Sequence, residues 1–328
     1  MMVLVLNHAE VERLLVMSEC IEVMRDALSR LASGGMHQPL RMIITPPAAA
    51  GDMALMPSYQ SGDRAAYGLK AVCFFPDNPL RGLDSHQGGV LLFSAETGEL
   101  MALMSASAIT AIRTAAVSGV ATDLLAREDA SDLAMIGAGV QARAHLEAMN
   151  CVRNITRARV ASKRLDQSRK FAEELGPRYS FPIEPVETVE EAIRGADLIV
   201  TATTAAEPIV CRDWIAGGAH LNVVGSSIAS TREVDTATMA SAALFVDRRE
   251  STFNEAGDYL FAMREGAIGP EHVRAEIGEL LIGTHAGRNS PDEITLFKSL
   301  GLAVEDLASA EYLYRKAKQT GDGVWVEV

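Results

Sequence analysis

Residues 132–142 read Asp-Leu-Ala-Met-Ile-Gly-Ala-Gly-Val-Gln-Ala, and no other stretch of the chain constrains its fold as tightly. A short apolar run feeds straight into Gly-x-Gly-x-x-Ala, and a helical pattern continues through 143–149. Gly137 suits a tight strand-to-helix turn, Gly139 lets backbone approach a pyrophosphate, and the small Ala142 lets the helix pack close to the strand. Unpaired N–H groups at such a helix start attract an anion. Placed between a strand and a helix, the pattern predicts a dinucleotide site, with Val140 and Gln141 opening the helix.

Strand and helix alternate around this motif. Strands are predicted at 133–136, 159–161, 198–202, 221–224 and 244–246, and helices at 141–149, 166–175, 189–194 and 234–239. That alternation is the signature of a doubly wound parallel sheet. The N-terminal third has another texture. Asn7 and Glu10 make a capping box ahead of Val11, Leu14 and Leu15, and a second helix runs from Ser18 as its cap to a stop at Gly34-Gly35. Extended runs at 41–45, 53–57, 67–75, 89–94 and 100–105, separated by turn residues such as Pro46-Pro47, predict a mostly antiparallel sheet. A helix follows from 106 to about 127, and a last amphipathic helix over 302–318 precedes a strand at 324–328. The expected fold class is α/β: a Rossmann doubly wound parallel sheet domain plus a mostly antiparallel α+β domain. A length of 328 residues favours two domains over one.

A net charge of −13 argues against nucleic acid and against an anionic membrane surface as partners. Residues 1–6 are too short for a signal sequence, and no segment is expected to be long and uncharged enough to span a bilayer. Cys20, Cys73, Cys151 and Cys211 show no Cys-x-x-Cys spacing, which predicts reduced, buried thiols in a cytoplasmic protein. The histidines form no paired motif, so no metal is expected.

The choice of dinucleotide falls on the end of the second strand, where an acid accepts from a ribose 2′-OH and basic residues accommodate a 2′-phosphate. This chain has Ser162, Lys163 and Arg164 there and no carboxylate; Asp166 comes late enough to belong to the next helix. NADP(H) is therefore favoured over NAD(H).

Arg41, Lys70 and Arg113 each sit among apolar or small neighbours. Cations in such surroundings are seldom buried without a partner. One ligand carboxylate would satisfy all three, and arginine's planar fork suits it. With these residues, the chain resembles the ornithine cyclodeaminase/mu-crystallin family in Leu55-Met56-Pro57-Ser58-Tyr59, Gly68-Leu69-Lys70, Phe74-Phe75-Pro76-Asp77-Asn78, Ser85-His86-Gln87-Gly88, Ile109-Thr110-Ala111-Ile112-Arg113-Thr114-Ala115-Ala116, the glycine motif and Gly301-Leu302-Ala303-Val304-Glu305-Asp306. The resemblance implies a discontinuous substrate-binding and dimerisation domain (1–115 and 305–328) around a Rossmann domain (116–304), in a homodimer whose antiparallel sheets join. It further implies that Arg41, Lys70 and Arg113 hold a substrate carboxylate, that Thr114 contacts a phosphate, and that Thr203, Val224, Gly225 and Lys298 lie near the nicotinamide half.

Two departures from the family pattern bear on the chemistry. A cyclodeaminase manages the distal amino group of ornithine with two acids, and here Ala54 and Ser227 stand in their places. A hydroxyl without an activating partner is no base for an amine at neutral pH. The expected function is therefore reduction of small α-imino acids to L-amino acids, with Lys70 or His86 as proton source, Arg113 as carboxylate anchor and Ser227 orienting substrate or water. The alternatives are an ornithine cyclodeaminase, an alanine-type L-amino acid dehydrogenase, and a nucleotide-dependent binding protein without turnover.

Overall fold

The computed structural model describes residues 2–328, with Pro79 described by its backbone. The chain divides into two compact units, Met1–Arg113 with Leu302–Val328, and Thr114–Gly301.

The first unit opens with strand β1 (Met2–Leu6) and helices α1 (His8–Leu14) and α2 (Met17–Ala32). Asn7 and Glu10 form the expected reciprocal capping box. Ser18 is not a cap. Val16 holds that position without a side-chain bond, because burial of Met17 sets where α2 starts. Strands β2 (Met36–His37), β3 (Met42–Ile44), β4 (Asp52–Gln60), β5 (Ala66–Phe74), β6 (His86–Ser94) and β7 (Leu100–Ser105) follow, and then α3 (Ala106–Leu125). β4 to β7 form an antiparallel meander, whereas β1 joins β7 in parallel and makes the sheet mixed. No periodicity marked β1 beforehand, since its unbroken apolar run Val3-Leu4-Val5-Leu6 lacks alternation.

α3 overturns one expectation, since by length and composition it could cross a membrane. Of its qualifying stretch 72% is buried, which makes it a core helix that is apolar because it is enclosed. All four cysteines are free, but only Cys20 is buried; Cys73 and Cys211 are partly exposed, and Cys151 reaches solvent from the last turn of the helix Val140–Val152.

The second unit contains β8 (Asp132–Ile136), α4 (Val140–Val152), β9 (Arg157–Ala161), α5 (Leu165–Leu175), β10 (Ile183–Pro185), α6 (Val189–Ile193), β11 (Leu198–Thr201) and β12 (His220–Val223). It continues with α7 (Thr236–Ser241), β13 (Ala243–Val246), α8 (Arg249–Glu255), α9 (Gly257–Arg264), β14 (Val273–Glu276), α10 (Ile277–Leu281) and β15 (Thr295–Lys298). Its strands are all parallel, in the order β10-β9-β8-β11-β12-β15-β13-β14. Every residue of β11 and β13 is buried, as befits strands covered on both faces. Strand order reverses beside β8, and the crevice at the carboxyl ends of strands at such a point is where ligands bind. α7 starts later than the pattern predicts: Asp235 caps it by accepting from Thr238 N, and Val234 pairs instead with Val210.

The chain then returns to the first unit with α11 (Ala303–Thr320) and β16 (Val324–Glu327), the latter antiparallel to β1. α11 covers one face of β4, β5 and β6, burying Met56, Val72, Val90 and Leu92 beneath it. Gly68 makes that approach possible, for a Cβ there would stand 3.0 Å from Leu307. Residues of the opposite face, among them Met53, Tyr67, Leu69, Leu91 and Leu103, remain partly or largely exposed within this unit.

Candidate active site

Lys70 lies mid-strand in β5, opposite Met56 on one side and Val90 on the other, and only 3% of it is exposed. Its ammonium is 2.8 Å from Asp306 Oδ2 and donates to Thr110 Oγ1 at 3.4 Å. Arg113, on α3, donates from Nε to Asp306 Oδ1 at 3.0 Å and from Nη1 to Glu305 Oε2 at 2.8 Å. Asp306 thus bridges both cations. Glu305 also accepts from Leu302 N at 3.1 Å, which fixes the start of α11, where a helix favours negative charge. A ligand carboxylate is therefore not the sole partner of these cations. The protein itself supplies carboxylates to Lys70 and Arg113, because leaving buried cations without fixed partners costs several kcal/mol each, to order of magnitude. Arg41 is partly exposed ahead of β3.

These charges act on one another. Burial pushes Lys70 down to about 8, Asp306 opposes the change, and Arg113 and Arg41 add to it. Burial pulls Asp306 upward, but Arg113 and Lys70 outweigh it and hold the carboxyl below the usual range. His86 keeps solvent access, yet the bulk of protein around it, then Lys70 and Arg113, lower its imidazole, while Asp84 acts the other way. Its ring lies tilted against Phe74, centroids 5.0 Å apart, and Nδ1 lies 3.2 Å from Ser85 Oγ.

In the second unit, the glycine motif, the predicted residues after β9, β11 and β12, and Lys298 at the end of β15 all lie at the carboxyl ends of the parallel strands, on either side of the point where the order reverses. Gly137 adopts φ 115°, and a Cβ there would meet Ala202 O at 2.5 Å, so only glycine makes this turn. Gly139 holds the cap position of α4 with no side-chain bond, and a Cβ on it would meet nothing within 4 Å. An open space over an uncapped helix start, with Val140 exposed and Gln141 behind it, fits a pyrophosphate. Ser162 Oγ donates to Arg164 O and lies 2.8 Å from Ser168 Oγ; Lys163 and Arg164 are exposed, and Arg164 pairs with Asp166, now the second residue of α5. Thr114 is buried on α3, Val224 is buried, and Ser227 is half-buried in the loop after β12.

Thr203, Gly225 and Lys298 belong to a buried network that the sequence alone did not reveal. Glu233 accepts from Thr201 Oγ1, Thr203 N, Thr203 Oγ1 and Gly225 N at 2.7–2.8 Å. Asp258 accepts from Glu233 N and Val234 N and pairs with Lys298. Burial raises Glu233, Lys298 lowers it and Asp258 raises it again, while four donors favour its charged form. The network ties the ends of β11, β12 and β15 together. Glu233 and Asp258 carry no signal in the sequence, because a lone acid in a loop or first helical turn looks like a solvated residue; Glu305 and Asp306 lie in a segment that carries the family resemblance, but nothing in it points to Lys70 or Arg113.

A Rossmann-like parallel sheet and a mixed sheet carried by both ends of the same chain define a two-unit α/β protein. The chain belongs to the ornithine cyclodeaminase/mu-crystallin family, whose profile matches residues 1–321. It is similar to a Delta(1)-pyrroline-2-carboxylate reductase of Bacillus cereus, 36% identical over 325 residues and 99% of each chain. Ketimine reductase mu-crystallin of Mus musculus is 36% identical over 286 residues, 87% of each chain. Among solved structures it is similar to the Delta(1)-pyrroline-2-carboxylate reductase of Thermococcus litoralis in complex with NADH and L-proline. That match has a TM-score of 0.96 and 42% identity, and covers 98% of this chain and 100% of the other.

Proposed function

We infer that this chain is a nicotinamide-dependent reductase of small α-imino acids, of the 1-pyrroline-2-carboxylate or 1-piperideine-2-carboxylate type, which it converts to L-amino acids. The observation that carries this is the buried Lys70–Asp306–Arg113 chain, together with the absence of an acid at Ala54 and Ser227. The Lys70 ammonium pairs with Asp306 and donates to Thr110, and an ammonium can make three such bonds. Arg41, Lys70 and Arg113 would grip the substrate carboxylate, which orients the imine, and orientation alone lowers a barrier by several kcal/mol, to order of magnitude. No side chain at 54 or 227 can offer a counter-charge to a second ammonium group, which disfavours ornithine. Similarity to pyrroline-2-carboxylate and ketimine reductases over nearly the whole chain supports the same conclusion.

A bound nicotinamide dinucleotide would supply the hydride. Gly137, Gly139, Val140 and Gln141 would hold its pyrophosphate, Thr114 a phosphate oxygen, and Thr203, Val224 and Gly225 the nicotinamide half, with Lys298 acting from beneath through its buried network. Ser162, Lys163 and Arg164 support NADP(H) over NAD(H). The exposed Arg164–Asp166 pair is weak enough to open for a 2′-phosphate. Of the two proton sources, Lys70 is largely protonated at neutral pH, whereas His86 is held low and is the poorer donor. The partly exposed apolar face of β4 to β7 supports a homodimer, and four free cysteines fit a reducing cytoplasmic setting.

The test is a dinucleotide-oxidation screen over pyrroline-, piperideine- and thiazoline-type imino acids with NADH and NADPH, alongside ammonia release from ornithine. Consumption of reduced dinucleotide with a cyclic imino acid is expected, faster with NADPH. Efficient ammonia release from ornithine without it would overturn the assignment.

A further inference from the structure

We propose that Asp306 is a positioning residue which holds the Lys70 ammonium charged and aimed as the proton donor to the imine nitrogen; this rests on the reductase function inferred above. Three observations support it. First, both oxygens of this 1%-exposed carboxylate are committed, Oδ1 to Arg113 Nε and Oδ2 to Lys70 Nζ, so its plane is fixed and it fixes Nζ in turn. Second, Asp306 lies in the buried first turn of α11, so it cannot swing away from Lys70. Third, Asp306 is shared between the two cations, 2.8 Å from Lys70 Nζ and 3.0 Å from Arg113 Nε, while Glu305 accepts from Arg113 Nη1 and from the backbone of Leu302.

The charged and titratable groups around Lys70 are Arg113 beside Thr110 on α3, Arg41 ahead of β3, His86 on β6 with Asp84 behind it, and Glu305 and Asp306 on α11. Arg113 and Arg41 drive the proton off Lys70, burial does the same, and Asp306 retains it. The step balances as follows. The imine carbon takes hydride from the reduced dinucleotide, the C=N π pair moves to nitrogen, and nitrogen takes a proton from Lys70 Nζ. Lys70 is left neutral until solvent reprotonates it. Without Asp306 the lysine gives up its proton at lower pH and is no longer aimed.

The experiment compares pH profiles of kcat/KM for 1-pyrroline-2-carboxylate with NADH in wild type, D306N, D306E and E305Q. Wild type is expected to lose activity on an alkaline limb near pH 8, the value to which Lys70 is lowered. D306N should move that limb about one unit or more toward acid and lower kcat about a hundredfold, with KM for NADH within about twofold. D306E should restore the limb, and E305Q should leave it in place. A D306N limb that coincides with wild type, or an equal shift in E305Q, would overturn the proposal. If D306N does not fold, D306E decides: a retained limb with kcat reduced about tenfold supports the role, and unchanged kcat and KM refute it. If wild type reduces no imino acid, the reductase assignment fails. The pH dependence of L-proline binding to NADH-loaded wild type and D306N then tests Asp306 alone, a displaced alkaline limit supporting it and coincident profiles rejecting it.

Discussion

Lys298 Nζ lies 2.9 Å from Asp258 Oδ2, and neither side chain touches solvent. The ammonium also donates to Val223 O and Ser226 O, so a single cation joins the end of β15 to the loop that follows β12. Replacing it with methionine, K298M, strands the Asp258 charge in the core. The expected cost is about 3–5 kcal/mol, read from the urea midpoint. A loss below about 1 kcal/mol would mean that the pair contributes little.

Lys70→Met should lower kcat with an imino acid about a thousandfold while leaving dinucleotide affinity within about twofold. Fluorescence titration with NADH and single-turnover absorbance check the two halves separately. Retained turnover would remove Lys70 from the chemistry.

Two glycines separate folding from binding. At Gly225 a Cβ would stand 2.2 Å from Thr203 O and 2.5 Å from Glu233 Oε1, so G225A should cost about 1–3 kcal/mol or more. Gly139 has an ordinary φ of −84° and room for a methyl group. G139A should therefore keep stability within about 0.5 kcal/mol and lose NADH affinity at least about tenfold, because the methyl group would fill the space above α4. Equal affinity in G139A would move the pyrophosphate elsewhere.

Two buried histidines set an acid limit on stability. Burial lowers His145 to about 4; Nδ1 lies 2.7 Å from Gln141 O and Nε2 2.9 Å from Ser118 Oγ, the arrangement of a neutral ring that donates at one end and accepts at the other. Burial, then Arg288, lowers His220 to about 3. Both folded values lie below the unfolded one near 6.5, so the unfolded chain binds more protons in that window. Stability from this source is complete above about pH 6.5 and is lost as pH falls toward 4 and 3, at about 1.4 kcal/mol per unit for each ring. H145Q should flatten the pH dependence of the urea midpoint by one proton; an unchanged slope would show that His145 is already charged in the fold.

Leu69 of β5 faces Leu91 of β6 across the ladder on the partly exposed side of the sheet. The double variant L69E/L91E should sediment as a monomer where wild type sediments as a dimer, since two charges on each face would have to be desolvated on association. A wild-type monomer, or an undisturbed dimer in the variant, would exclude this face.

The glycine turn was legible because Gly137 and Gly139 are local: steric demands within a few residues determine them. Lys70 and Arg113 were visible as out-of-place cations, but their partners were not. Glu305 and Arg113 stand 192 residues apart in the chain, and nothing in the local pattern of either points to the other. β15 was missed for another reason. Thr-Leu-Phe-Lys is too short to show a period, although the strand lies centrally between β12 and β13. α8, α9 and α10 are five to eight residues long, below the length at which helical spacing stands out. Ser18 misled because a good capping residue lost to apolar packing at Met17.

α11 and β16 follow every strand of the second unit in the chain, and that order carries a consequence for biosynthesis. All strands of the second unit have been synthesised by residue 298, whereas the first unit begun at β1 waits for residues 302–328. Until then Lys70 and Arg113 lack their anions, β1 lacks an edge neighbour, and Met56, Val90 and Leu92 lack a lid. A chain released just short of residue 302 would thus be half-finished, its latter part able to close and its opening part sticky, a form that invites chaperones and proteases.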